Sequence, residues 1–321
     1  PGSHVEEAVS GPTLVRTPTQ TAEWRTIHDG LRKLWKACLP EQDGGDVARS
    51  LTINFVAVAD AADAAALAEA TARLQNRSPC RAFLLLVDEA ADPGRAELAA
   101  TTRCHGSTRD IVLEEITLRV PPRAFAQVPG LVRPLLMNDL PNHLFWAKGW
   151  PADERALDAV ASMCDHVVVD SRRFTDPARD IEALAARRTK GTKVADLNWQ
   201  RLSPWRRALA EAFERVTWKP GTPTTGSLRH GAGATAAAHL LADWLRSRLG
   251  AQLQLERGGD AAASCPEAVV LRTGEFEIDL AVLRQQLRVH VSTPAHCYLP
   301  FSVPLPRSTD GDLLASAIAL G

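Results

Sequence analysis

A glycine-rich turn ahead of a helix carries the strongest hint of enzymatic chemistry in this sequence. Residues 231–236 read Gly-Ala-Gly-Ala-Thr-Ala, which fits the G-x-G-x-x-A spacing of dinucleotide-binding proteins. In that class the glycines let the backbone approach a pyrophosphate, and an acidic residue about 20 positions later binds a ribose; Glu256 occupies that place here. Against a nucleotide site, Arg229 and His230 lie where the preceding strand should be apolar. The alternative is a plain turn at the start of a helix.

Thiol and imidazole side chains that could bind a metal ion stand together in three places. They are Cys104-His105, Cys164 with His166, and His296-Cys297. None has the spacing of a zinc finger or zinc ribbon, and scattered cysteines usually behave as small buried hydrophobic residues. The six cysteines include no C-x-x-C pair, so we expect reduced thiols. We predict neither a metal site nor a cofactor.

Asp170-Ser171 offers a carboxylate and a hydroxyl, the elements of nucleophilic catalysis. No G-x-S-x-G elbow accompanies the serine. Asp170 can equally cap the turn that follows its strand. The sequence therefore predicts no catalytic residue.

Two tryptophans and two arginines are concentrated in residues 196–206. Protein interfaces are enriched in both types, because an indole buries a large apolar face and a guanidinium offers a planar fork of donors. Ser203 followed by Pro204 predicts an N-cap with proline at the first helical position. Core packing is the alternative for at least one of the tryptophans. The residues expected to form or brace a partner-binding surface are Asn198, Trp199, Arg201, Trp205 and Arg206.

Two other segments could extend this surface. Asp139 lies in a turn ahead of a predicted strand that contains Trp146, although structural shaping of the turn explains both residues equally well. The run Arg187–Lys193 carries four cationic side chains. A solvated loop is the simpler interpretation of that run, and a patch facing a partner is the alternative.

Composition excludes several classes of protein. A chain of 321 residues, 45% hydrophobic and 23% charged, with a net charge of -1, indicates a globular protein and no broad surface for nucleic acid or anionic membrane. No apolar run is long enough to span a membrane and no leader opens the chain, so we expect a cytoplasmic location. Residues 1–4 resemble a cloning scar, and residues 1–20 are interpreted as a tail.

Hydrophobic periodicity in the first two thirds of the chain predicts alternating helices and strands. The predicted helices are Thr21–Leu39, Asp60–Gln75, Val128–Leu136 (interrupted by Pro134) and Asp153–Met163. The predicted strands are Leu51–Val58, Cys80–Val87, Ala99–Cys104, Ile111–Val120, Leu144–Trp146 and Val167–Asp170. The third and fourth strands form a hairpin with a turn at Gly106-Ser107. This order predicts an α/β layer with a mostly parallel sheet and flanking helices.

A cluster of proline and glycine at residues 220–226 marks the predicted domain boundary. We therefore expect an N-terminal α/β domain at 21–220 and a smaller α+β domain at 221–321. The elements predicted in the second domain are helices Thr235–Leu249 and Gly311–Ala319 and strands Gln252–Glu256, Ala268–Leu271, Glu275–Leu280 and Leu287–Val291.

Six sequence blocks taken together resemble the glucose-6-phosphate dehydrogenase assembly protein family, called OpcA. They are Ser78–Ala82, Glu114–Leu118, Pro134–Pro141, Val168–Phe174, Asp196–Arg206 and Leu241–Gly250. The resemblance implies a non-catalytic partner that binds glucose-6-phosphate dehydrogenase, favours its active oligomer as an allosteric activator, and supports the oxidative pentose phosphate pathway. Some family members are linked to redox control, but a cysteine expected just before Glu114 is missing here. The competing hypothesis is a sugar-phosphate or NADP-binding enzyme that uses the turn at 231–236.

Overall fold

The computed structural model describes residues 13–38, 47–91, 94–105, 108–189 and 191–319. The chain forms two compact units. The first comprises the described residues up to Phe145 together with Arg155–Asp165, and the second comprises Trp146–Glu154 and the described residues from His166 onward. No helix in the described ranges has the length and apolar character needed to cross a membrane.

The first unit is built around a sheet of mixed direction. Its elements are β1 (Thr13–Arg16), β2 (Gln20–Glu23), α1 (Ile27–Ala37), β3 (Val47–Arg49), β4 (Ile53–Asp60), α2 (Ala64–Leu74), β5 (Cys80–Val87), β6 (Arg95–His105), β7 (Thr108–Val120), α3 (Val128–Val132), β8 (Asn142–Trp146) and α4 (Arg155–Ala161). The strand order is β1-β6-β7-β5-β4-β8, with β2 also on β6 and β3 on β7. Strands β4, β5 and β7 are parallel, whereas β6 and β7 form the predicted antiparallel hairpin.

The parallel strands carry the apolar core of this unit. β4 and β5 are buried along almost their whole length, because they read as nearly continuous runs of valine, alanine, leucine and phenylalanine. Such runs suit strands that are covered on both faces. The predicted parallel layer is therefore confirmed.

The second unit contains a parallel strand pair and a separate six-stranded sheet. Its elements are β9 (His166–Val169), α5 (Pro177–Thr189), β10 (Lys193–Asp196), α6 (Leu197–Arg201), α7 (Ser203–Phe213), β11 (Thr225–His230), α8 (Thr235–Leu249), β12 (Gln252–Arg257), β13 (Ala268–Arg272), β14 (Glu277–Leu283), β15 (Gln286–Ser292), β16 (Phe301–Pro304) and α9 (Asp310–Ala319). β9 and β10 pair in parallel. The sheet has the order β12-β11-β13-β14-β15-β16, parallel between β11 and β12 and antiparallel elsewhere.

Helix α7 belongs to the core of the second unit, which places the division of the chain earlier than the predicted boundary at residue 220. Trp205 and Leu209 on its buried face lie in one hydrophobic cluster with Val289 of β15 and Leu241 of α8. The proline and glycine cluster at 220–226 is therefore a loop inside the second unit. Sequence patterns locate such a loop, but they do not show whether the elements on its two sides share one hydrophobic core.

Several local predictions need correction. Residues 13–16, assigned to a tail, form β1 on the edge of the sheet, while residues 1–12 lie outside the described ranges. The first helix begins at Ile27 because β2 and a 3₁₀ turn precede it. Ser203 is the first helical residue of α7 and makes no capping hydrogen bond. Elements β2, β3, α5, β10, α6, β11 and β16 were not predicted, and the hairpin turn at 106–107 is outside the described residues.

Candidate interaction surface

The two parallel strands of the second unit end in carboxylates. Asp170 follows β9 directly, and Asp196 is the last residue of β10, paired with Val169. Asp170 Oδ1 accepts a hydrogen bond from the Arg172 backbone N–H at 3.2 Å. Asp170 therefore caps the turn after its strand, which is one of the two roles that the sequence left open for it. The carboxyl ends of parallel strands are where polar side chains collect in α/β folds.

Asp170 is held ionised inside the protein by two arginines. Arg201 Nη1 donates to Asp170 Oδ1 at 2.8 Å, and Arg172 Nη2 donates to Oδ2 at 2.6 Å. Burial alone would raise the pKa of Asp170, but the charges and hydrogen bonds of Arg201 and Arg172 together hold it below its ordinary value. Both arginines also pair with Asp310 at the start of α9, at 2.8 Å. The network joins β9, α6 and α9.

Asp196 has the opposite electrostatic character. Its Oδ1 accepts from the backbone N–H groups of Ser171 at 3.1 Å and Asn198 at 2.9 Å, so it is the N-cap of α6. Among the described residues its buried Oδ2 has no hydrogen-bond partner. Burial raises the pKa of Asp196 to about 6, against the lowering effect of these hydrogen bonds.

Three of the five residues expected at a surface lie inside the unit. Asn198 is buried and donates from Nδ2 to Ser171 Oγ at 3.0 Å. Trp205 is fully buried in the core, and the Arg201 side chain is 8% exposed. These three residues brace the segment from within. The alternative that one of the tryptophans packs in the core is confirmed for Trp205.

Trp199 and Arg206 are half-buried and form a stacked pair. The Arg206 guanidinium lies 3.9 Å from the centre of the Trp199 ring, and its Nη2 donates to the Trp199 carbonyl at 3.1 Å. Arg206 Nε is buried and finds no acceptor in the described part of the chain, and burial lowers the pKa of this arginine. Trp199 also packs edge to face on Trp244 of α8, with ring centres 6.3 Å apart. We call Trp199, Arg206 and Trp244 the tryptophan patch.

A cavity of about 740 Å³ adjoins the tryptophan patch. Trp199 and Trp244 line it together with Leu240, and Arg188 and Lys193 place cationic side chains on its wall. Arg187, from the same basic run, is instead paired with Glu154 at 2.7 Å. Part of the predicted basic run therefore borders this cavity. Its surface combines aromatic and cationic groups, as many protein-binding surfaces do.

Asp139 and Trp146 do not belong to the tryptophan patch. Asp139 is exposed in the first unit, in the turn before β8. Trp146 is 3% exposed and donates from Nε1 to the Gly149 carbonyl at 3.0 Å. Its size and indole N–H are used for packing, which is the structural alternative that the sequence left open.

The glycine-rich turn at 231–236 is covered by the chain's own backbone. It opens α8 as predicted, and β11-α8-β12 is a parallel β-α-β unit. A Cβ atom at Gly231 would collide with the Asp260 carbonyl, and Gly233 N–H donates to the Ala261 carbonyl at 2.9 Å. The loop 260–263 therefore occupies the position where a pyrophosphate would approach the helix. The glycines serve a close approach of backbone to backbone.

The predicted thiol and imidazole pairs do not assemble a metal site in the described residues. No group of three or more potential ligands is found there, and all six cysteines are free. The thiol of Cys297 lies 3.1 Å from Nε2 of His290, while neighbouring His296 packs on Tyr298. Burial raises the pKa of Cys164 to about 12.

Two family models match consecutive parts of the chain. Residues 71–186 match the N-terminal domain of the glucose-6-phosphate dehydrogenase subunit family, and residues 192–320 match the C-terminal domain of the same family. The OxPP cycle protein OpcA of Synechocystis sp. is 32% identical over 178 residues, covering 54% of this chain and 37% of that protein. The protein of the same name from Nostoc punctiforme is 30% identical over 178 residues, covering 54% and 38%. The match thus spans well under half of each relative's length.

Solved structures show a weaker likeness. A 3-ketoreductase from Actinomadura kijaniata, in complex with TDP-benzene and NADP, aligns with a TM-score of 0.47 and 14% identity over 84% of this chain and 89% of that chain. Levoglucosan dehydrogenase with NADH and L-sorbose aligns with a TM-score of 0.47 and 11% identity over 84% and 88%. Similarity this low does not transfer a function.

Proposed function

Because the chain belongs to the glucose-6-phosphate dehydrogenase subunit family, called OpcA, we propose that it is a non-catalytic subunit of that dehydrogenase. In this proposal it binds the enzyme, favours its active oligomer as an allosteric activator, and so supports the oxidative pentose phosphate pathway in the cytoplasm. A protein that binds the assembled form more tightly than the separate protomers shifts the population toward assembly. Neither nucleic acid nor a membrane has a part in it.

The stacked pair of Arg206 and Trp199 is the observation that supports a protein-binding role most directly. The half-buried Arg206 guanidinium lies against the Trp199 indole face and keeps a cationic group at the surface of the unit, although its Nε is buried and lacks an acceptor among the described residues. A carboxylate from a partner would form a charge-assisted hydrogen bond with the accessible part of this guanidinium. Tryptophan and arginine are also the side chains that most often anchor interfaces.

The buried network explains how such a patch can be rigid. Asp196 caps α6, and Arg201 ties the end of α6 to Asp170. Trp205 fixes the first turn of α7 in the core. An interface residue that is already ordered loses less conformational entropy when it binds. We therefore assign binding to Trp199 and Arg206, and bracing to Asn198, Arg201 and Trp205. A binding role for Asp139, in the first unit, stays a separate proposal.

The cavity beside the tryptophan patch suits an acidic or aromatic segment of the dehydrogenase. Arg188 and Lys193 supply positive charge on its wall, and Trp199, Trp244 and Leu240 supply apolar surface. Complementary charge mainly sets the rate and specificity of association, whereas the desolvated aromatic centre sets affinity. The complex should therefore lose association rate as salt is added.

A catalytic role through the turn at 231–236 receives no support from the geometry, because loop 260–263 fills the space above Gly233. The enzymatic alternative leads to an expectation that can be measured. The isolated chain would have to turn over a sugar phosphate with NADP. We expect no turnover by the chain alone and a changed rate when the dehydrogenase is added.

The central experiment mixes the chain with the dehydrogenase from the same organism. Size-exclusion chromatography with light scattering should show a complex and a larger fraction of assembled dehydrogenase. The complex should weaken about 30-fold for Arg206→Gln, since loss of an interface anchor costs about 2 kcal/mol. Arg215→Gln is the matched control, because Arg215 also stacks on an aromatic ring, that of Phe301, at 4.1 Å. Equal binding by both variants, with both folded, would remove the tryptophan patch from the proposal.

A further inference from the structure

A second cavity in the second unit, of about 830 Å³, is rich in arginine. Its size falls in the range of sites that hold small organic ligands. We call it the arginine cleft. Its cationic residues are Arg172, Arg201, Arg207, Arg229 and Arg307, and its acidic residues are Asp260 and Glu267.

Two of these arginines have no acidic partner within the described ranges. Arg172 and Arg201 are committed to Asp170 and Asp310, and Arg229 pairs with Glu267 at 3.4 Å. Arg207 and Arg307 form no ion pair or hydrogen bond with any residue that the structure describes.

The remaining carboxylate of the cleft is that of Asp260. One of its oxygens accepts from the Ala262 N–H at 2.9 Å. Among the described lining residues, two guanidinium groups and this one carboxylate are left without an ion-pair partner. The cleft keeps surplus positive charge and unused donors.

Hydrogen-bond donors of other kinds lie on the same wall. Helix α7 begins at Ser203, which lines the cleft, and no described side chain caps that helix end. The first turn of a helix presents free N–H groups and a partial positive charge. Ser264 and Ser308 add hydroxyl groups to the lining, whereas the Ser316 hydroxyl already donates to the Asp312 carbonyl at 2.9 Å. Arginine forks, hydroxyls and a helix start are the groups that bind phosphate oxygens in proteins.

The walls of the cleft are built from paired backbone, so the site exists before any ligand arrives. Val282 N–H donates to the Glu267 carbonyl at 2.9 Å, and Leu305 N–H donates to the Gln285 carbonyl at 3.0 Å. Gln285 lies in a hairpin turn in the left-handed region, with φ 65°. Arg284 beside it also has a positive φ, 48°, as the two-residue turn between β14 and β15 requires, so the strands themselves fix this part of the wall.

We propose that the arginine cleft binds a small organic phosphate, with Arg207 and Arg307 as the residues that grip its phosphate group. Val282, Leu305 and Pro306 give the cleft an apolar side against which the rest of the ligand packs. The ligand is bound and not transformed. None of the three residues of the tryptophan patch lines this cleft, and the site does not depend on the proposed partner.

The test measures binding to the full chain without any dehydrogenase. Isothermal titration uses glucose 6-phosphate and NADP as organic phosphates, inorganic phosphate as the free anion, and glucose as the uncharged analogue. We expect binding of at least one organic phosphate and none of glucose. The double variant Arg207→Gln/Arg307→Gln should weaken that binding at least about tenfold, because each removed cation takes charged hydrogen bonds away. Arg248→Gln, an exposed arginine at the end of α8 outside the cleft, is the matched control.

Each outcome decides the proposal. Preference between glucose 6-phosphate and NADP identifies the organic part of the ligand. Binding of inorganic phosphate as tight as that of both organic phosphates would overturn the assigned ligand class, because the apolar side would then contribute nothing. Absence of binding by every probe at millimolar concentration overturns the proposal, as does equal binding by the double variant and the Arg248→Gln control. A chain that binds a phosphate but no dehydrogenase would support this site and refute the proposed function.

Discussion

Arg201 and Asp170 form a bidentate ion pair inside the second unit, in which Nη1 donates to Oδ1 at 2.8 Å and Nη2 donates to Oδ2 at 3.2 Å. The two side chains are 8% and 1% exposed. A planar guanidinium matches a carboxylate in this way, which lysine does not. The pair fixes the end of β9 against α6, and the half-exposed Trp199 lies on that short helix.

Removal of Arg201 should destabilise the protein strongly. Arg201→Met leaves the buried carboxylate of Asp170 with Arg172 alone, and breaking a buried pair typically costs 3–5 kcal/mol, so we expect a loss of about 3 kcal/mol. Urea unfolding monitored by tryptophan fluorescence measures it. Arg207→Met, an exposed arginine on α7, should change stability by less than about 0.5 kcal/mol. Similar stability of the two variants would show that the ion pair does not hold the segment.

Stability should depend on pH through Asp196. Its pKa is raised from 3.8 to about 6 by burial, so the folded state favours the protonated form. The contribution of Asp196 to stability is therefore present below about pH 4 and is lost as the pH rises through 6. Asp170 acts in the opposite sense, because its pKa is lowered in the folded state. Its contribution to stability is present at pH values above the ordinary aspartate pKa and is lost as the pH falls into the acid range.

Asp196→Asn isolates the first effect. Asparagine keeps one oxygen for the N–H groups of Ser171 and Asn198 but does not titrate. Between pH 4 and pH 7 the variant should gain up to about 3 kcal/mol relative to the natural protein, since each pKa unit corresponds to about 1.4 kcal/mol. Urea unfolding of both proteins at several pH values gives the difference. A difference that stays constant with pH would contradict the raised pKa.

Strong periodicity made much of the fold predictable. Helix Thr235–Leu249 and strand Cys80–Val87 have the predicted bounds, because each carries a continuous apolar pattern between clear breakers. Strand β11 was missed because it contains Gly226, Arg229 and His230, which suit a strand only when neighbours cover it on both sides. Tertiary pairing overrode local preference there.

The candidate surface was predictable in part. The density of tryptophan and arginine drew attention to segment 196–206, but only the structure shows that Trp205 and Arg201 are buried while Trp199 and Arg206 are half-buried. Sequence spacing does not distinguish buried from accessible side chains here, because two short helices, α6 and α7, follow one another. Asp310 was missed because it joins Arg201 across 109 residues, and a single aspartate at a helix start gives no signal of such a pairing.

The first unit contains a comparable ion pair, and a double-mutant cycle should show its coupling. Glu114 of β7 is fully buried and accepts from Arg81 Nε at 2.6 Å and from Trp35 Nε1 at 2.8 Å. Glu114→Leu alone leaves a buried arginine unpaired and should cost about 3–5 kcal/mol. The double variant Arg81→Met/Glu114→Leu should recover at least about 2 kcal/mol of that loss. If the effects of Arg81→Met and Glu114→Leu measured alone simply add in urea unfolding, the two groups do not stabilise each other.

Substitution at Gly231 tests whether the glycine-rich turn serves packing or a ligand. An added Cβ there would press on the Asp260 carbonyl. Gly258, two residues before Asp260 in the sequence, has open space around the position of an added Cβ. Gly231→Ala should therefore lower the free energy of unfolding by about 2 kcal/mol and expose loop 260–263 to protease, because overpacking forces the backbone to shift. Gly258→Ala should do neither. If the turn instead held a nucleotide, NADP would raise the melting temperature of the natural protein but not that of Gly231→Ala. The ligand-free variant would then be about as stable as the natural protein.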